Sequence, residues 1–111
     1  MLYITRNEGF QIDFDNGYTI SVQFGHGHYC SNRNSRKIGY QSSSTPQECK
    51  NAEIALWDRN RKDKGEGSST WVNLTPGDQV VGWVPADLVG KIIGYVQKGQ
   101  IAAVKRALKK L

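Results

Sequence analysis

No apolar run in this chain exceeds a few residues, whereas a bilayer-crossing helix needs about 20 in succession, so a helical membrane span is excluded. Met1-Leu2-Tyr3 leads directly into polar sequence without the apolar core of a signal peptide, and a cytoplasmic location is expected. Cysteine is scarce. Two in 111 residues cannot form a disulfide framework, and both are expected to stay reduced. With only three prolines and 10% aromatics, the composition is neither that of a proline-rich linker nor of a disordered segment. Missing too are a GxxxxGK[ST] phosphate loop, an HExxH helix and a strand-turn-helix glycine fingerprint, which removes the commonest nucleotide-hydrolase, metalloprotease and dinucleotide-cofactor classes. The chain also lacks any acid after Asp87.

That last absence shapes the charge. Lys91, Lys98, Lys105, Arg106, Lys109 and Lys110 all follow Asp87, so residues 88–111 carry +6 and the rest of the chain −1. The basic end suits phosphate-bearing partners, and cations near a helix C-terminus also complement its dipole. With 38% hydrophobic residues, 111 residues suit one domain, 1–111, and one small core.

Phe10, Ile12 and Phe14 alternate with polar residues, as do Tyr18, Ile20, Val22 and Phe24, the period-2 pattern of half-buried strands. A two-residue Asn16-Gly17 loop would send the two apolar rows to opposite faces. A three-residue loop, Asp15-Asn16-Gly17, pairs Phe14 with Tyr18, Ile12 with Ile20 and Phe10 with Val22 on one face, with Gly17 left-handed. Residues 2–5 form a further strand, and Ala52, Ile54 and Leu56 another. Residues 71–74 and 79–84 read as short strands joined at Thr75-Pro76-Gly77-Asp78. Helices are expected over 85–98, with Asp87 in the first turn and Gly99 as the stop, and over 100–110. The expected fold is therefore α+β: an antiparallel sheet of about five strands with two C-terminal helices on one face. Between them lies a long polar and basic loop, 26–48, the leading candidate for a binding surface.

Within that loop, Tyr29, Arg33, Arg36, Lys37 and Tyr40 combine guanidinium donors with flat rings, and Trp57, Arg59 and Arg61 form a second such group. Together they suit the phosphates and bases of a small nucleotide. The alternative is nucleic-acid binding by Lys105, Arg106, Lys109 and Lys110. A zinc site from His26, His28, Cys30 and Cys49 has permissive spacing but neither a CxxC nor an HxxxH element, so no metal and no cofactor is expected. No nucleophile, base and orienting group fall together, so no enzymatic activity is expected. A sheet covered on one face, with three tryptophans in so small a chain, points to a homo-oligomer.

Three segments, FDNGYTISVQFG (Phe14 to Gly25), KNAEIALWD (Lys50 to Asp58) and VVGWVPADLVGKI (Val80 to Ile92), carry a resemblance over about half of the chain. They resemble small accessory proteins of tailed bacteriophages, which often combine an FxNGYxxSV hairpin, an AExAxW strand and a VxGxxxxxxV strand-helix junction. Trp83-Val84-Pro85 stands where such proteins often carry Leu-Thr-Pro. The resemblance implies a phage-encoded protein acting in the host cytoplasm, a class in which counter-defence is common. Sequestering a small anionic nucleotide signal, or blocking a host defence protein, is the function it suggests.

Overall fold

A computed structural model of the chain describes residues 1–5, 8–25, 28–31, 48–61 and 70–111. Five antiparallel strands follow one another in space as in sequence: β1 (Leu2–Ile4), β2 (Gly9–Asp13), β3 (Tyr18–Gln23), β4 (Asn51–Asp58) and β5 (Val80–Pro85). Two helices end the chain, α1 (Ala86–Gln97) and α2 (Ile101–Lys109).

The β2–β3 register is the one the apolar rows demand. Phe10 faces Val22 and Ile12 faces Ile20, and the Phe14 N–H donates to the Tyr18 carbonyl at 2.8 Å to close the three-residue loop. Gly17 sits at φ +95°, a backbone conformation that favours glycine. The side chains of Ile20 and Val22 then share one sheet face with Ala52, Ile54, Leu56 and Val84. Against this face pack Val89, Ile92 and Val96 of α1 and Val104 and Leu108 of α2, forming the core. α1 lies over β3, β4 and β5. Beyond its reach, Leu2 and Ile4 of β1 are 74% and 83% exposed.

Several boundaries differ from the sequence expectation. Residues 71–74 do not form a strand: only Trp71 bridges β4, opposite Trp57, while the Val72 N–H donates to the Leu56 carbonyl at 2.8 Å. Pro85 ends β5 in an extended conformation instead of opening the helix, because it still pairs with Asn51. α2 begins at Ile101, after Gly99 and Gln100 turn the chain.

The hairpin loop also anchors a helix. Asn16 Nδ2 donates to the carbonyls of Val96, which also accepts the Gly99 N–H, and Gln97 at 2.9 and 3.1 Å at the end of α1, while its Oδ1 accepts the Tyr18 N–H at 3.1 Å. Asn16→Ala removes all three bonds. Urea unfolding of that variant is expected to show a loss of about 1–2 kcal/mol, with the slope against urea unchanged.

Candidate functional site

The sheet face away from the helices is polar, since residues alternating with the core rows point there. Asp13, Thr19 and Ser21 lie on it with Gln11 and Gln23. Asp13 Oδ1 accepts from the Thr19 hydroxyl at 2.7 Å and from Gln11 Nε2 at 3.5 Å. Arg59, just past β4, reaches back over this face. Its guanidinium donates to the Tyr18 carbonyl at 2.6 Å, to Thr19 Oγ1 at 2.8 Å and to the Phe14 carbonyl, with Asp13 Oδ1 at 3.9 Å. The arginine expected to hold a ligand is thus committed to fastening the hairpin. Trp57 is likewise engaged, edge-on to Trp71 with ring centroids 4.6 Å apart. Arg61 follows in the turn after β4, where its N–H donates to the Asp58 carbonyl at 3.2 Å.

Tyr29 stands apart from these residues. Its N–H donates to Glu53 Oε2 at 2.9 Å, near the start of β4, and four residues of strand, about 13 Å, separate Glu53 from Trp57. The first proposed group is therefore not continuous with the second among the described residues. Arg33, Arg36, Lys37 and Tyr40 lie outside the described residues, as does His26.

What surrounds Tyr29 is a feature the sequence reading missed. β4 and β5 shift register between Ala52 and Ile54, so Gly82 and Trp83 together oppose Glu53 in a β-bulge. Trp83 adopts φ +53° and is 53% exposed. Its N–H donates to the Tyr29 carbonyl at 2.8 Å, and the two rings lie 5.4 Å apart at 39°. Gly82 is required here, because a Cβ would overlap the Tyr29 Cβ. The signal was present as a glycine beside tryptophan inside a strand, a common mark of a bulge. Tyr29 and Trp83 border a recess of about 370 Å³ together with Thr75, Asp78 and Val80.

The zinc alternative divides as well. His28 Nε2 is 2.8 Å from Glu8 Oε2, and its Nδ1 is 3.5 Å from Glu53 Oε1. The buried Cys30 Sγ accepts the Gly25 N–H at 3.1 Å, whereas Cys49 Sγ lies 3.1 Å from Ser31 Oγ. Among the described residues no three His, Cys, Asp or Glu side chains are placed to hold a metal ion.

Three of the cations of α2 border one cavity. Lys105, Arg106 and Lys109 line an open groove of about 670 Å³ between α2 and residues 73–77, floored by Leu74, Leu108 and Leu111. Opposite them, Pro76 and Gly77 occupy the corner of a turn closed by the Asp78 N–H on the Thr75 carbonyl at 3.0 Å, where the sequence placed it. Among the described residues, none of the three cations has a carboxylate within ion-pair distance. Lys110, the fourth basic residue of the alternative site, is exposed and does not border the groove.

Comparison with protein-family models, curated proteins and solved structures finds no match to this chain. Among the described residues no helix is long and apolar enough to cross a membrane.

One titration follows from the polar face. The Thr19 hydroxyl, with Gln11, the Arg59 charge and Tyr3, outweighs partial burial and holds the Asp13 carboxyl below its usual range. The native state therefore binds this proton less readily than the unfolded chain. Its contribution is complete above the unfolded value of about 3.9 and is lost as pH falls through the lower native one. Asp13→Asn is expected to lower the urea midpoint at pH 7, and the gap between variant and parent to close on acidification through that window.

Proposed function

We propose that this protein is a non-enzymatic binder of a small anionic nucleotide, and that the α2 groove is where the phosphates sit. The observation that carries the reading is the set of three cations, Lys105, Arg106 and Lys109, bordering one groove without a carboxylate partner among the described residues. Unneutralised cations around one cavity attract phosphate oxygens, and arginine adds a two-pronged donor. A volume near 670 Å³ falls within the range of small-molecule sites. This reading uses residues of the nucleic-acid alternative, and the 26–48 loop lies mostly outside the described residues.

The phage-like hairpin and strand motifs favour a counter-defence role in the host cytoplasm, in which tight binding withdraws a nucleotide signal. Blocking a host defence protein through the same basic surface is the competing form of that role. A homo-oligomer belongs to the same reading. The uncharged edge strand β1 is self-complementary: antiparallel pairing about Tyr3 sets Leu2 of one copy against Ile4 of the other, on the side α1 leaves uncovered.

Calorimetry with mono- and dinucleotides tests the reading, with sedimentation run in parallel. The expected result is saturable binding with modest salt dependence and nucleotides recovered chemically unchanged. Lys105→Ala/Lys109→Ala should weaken it at least tenfold with little change in melting temperature, because exposed lysines contribute little to stability. Tighter binding of duplex DNA than of any nucleotide, falling steeply with salt, would move the function to the nucleic-acid alternative.

A further inference from the structure

The recess at the β5 bulge adjoins the basic groove. Thr75 borders both, at the near corner of the turn that walls the groove. The two cavities differ in chemistry. The groove carries Lys105, Arg106 and Lys109, whereas the border of the recess has no basic residue among the described residues and includes Asp78 with the aromatic residues Tyr29 and Trp83. A phosphate is therefore favoured in the first and repelled from the second, while a flat uncharged ring is suited to the second.

Trp83 also shows a conformation that its local sequence does not favour. A bulky residue at φ +53° is strained, since its Cβ crowds the following carbonyl, and such positions persist where surrounding contacts enforce them. Here the enforcement is visible: the Trp83 N–H is held by the Tyr29 carbonyl, the Tyr29 N–H by Glu53, and the Gly82 backbone by close contact with Tyr29. The result is an indole more than half exposed that lies beside a second ring on a held backbone, so part of the entropy of ordering a stacking surface is already spent.

We infer that Trp83, supported by Tyr29, is the base-stacking platform of a nucleotide whose phosphates occupy the α2 groove, with Asp78 on the border of the recess that takes the base. The inference rests on the proposed reading of that groove and specifies how a nucleotide is told from inorganic phosphate: the groove holds the charge and Trp83 holds the ring. Tryptophan offers the largest face, and stacking tolerates any base. Asp78 accepts hydrogen bonds only, so it favours bases with an exocyclic amino group on the exposed edge.

The test compares adenosine diphosphate with inorganic pyrophosphate by calorimetry on the parent chain and on Trp83→Asn. Asparagine tolerates the left-handed backbone, so the bulge is preserved, and Trp83→Gly serves as a second variant should asparagine perturb it. Both are checked by thermal unfolding. The expected result is that the parent binds the nucleotide about tenfold or more tighter than pyrophosphate. Trp83→Asn should abolish that advantage and leave pyrophosphate binding unchanged. A nucleotide advantage that survives both substitutions overturns the platform and leaves the groove standing, because the base then lies elsewhere. Equal binding of the two probes by the parent likewise overturns the platform alone. Absence of binding by either probe overturns the groove and the platform together.

Discussion

The turn from Phe14 to Tyr18 is the constraint on which the remaining arrangement depends. Its three-residue length decides that Phe10, Ile12, Ile20 and Val22 share a face; one residue fewer would turn half of them to water. Two polar side chains then tie the turn to the rest of the chain. Asn16 binds the last carbonyls of α1, and Arg59 binds the Phe14 and Tyr18 carbonyls from the end of β4. The hairpin, β4 and α1 thus meet at one short segment. Each partner bond is local to a loop, yet together they fix how the helical layer sits on the sheet.

Where sequence reasoning worked, the deciding physics was short-range. Strand alternation, the parity argument for the loop, the Thr75–Asp78 turn and the two helical stripes each depend on neighbours within a few residues. They placed all five strands and wrongly added one at 71–74. That segment failed because its apolar residues pack without a continuing ladder: the Trp71 bridge to Trp57 is followed by Leu74, buried in the core cluster, and then the turn. Alternation reports burial of every second residue, and a loop can meet that condition too. Pro85 shows the complementary error, since a residue well suited to open a helix is equally compatible with the end of an edge strand.

The candidate site was legible in its charge but not in its assignment. The excess of cations after Asp87 is plain in the sequence; that Lys105, Arg106 and Lys109 share a groove with residues 73–77 depends on a contact between segments about 30 residues apart. Conversely, Arg59 reads in sequence as an available guanidinium, and only the folded hairpin reveals three oxygen acceptors waiting for it. Basic residues near aromatic ones do not disclose which cations are consumed by backbone carbonyls. Trp83 is in the same position, since its exposure follows from a bulge that the pairing of β4 with β5 alone defines.

The fold converts separation of charge along the chain into separation in space. Glu8, Asp13 and Glu53 belong to the first half, and the sheet directs Asp13 and Glu53 to the face away from the helices, where His28 and Arg59 engage them. The cations that follow Asp87 lie in or next to the helical layer on the opposite face. A carboxylate on the polar face cannot reach Lys105, Arg106 or Lys109 through the sheet and core between them. An anion approaching α2 therefore meets cations that these carboxylates have not neutralised. Reversing the alternation of β2 to β4 by one residue would bring the same acids beneath the helices and remove that field without changing the net charge of the protein.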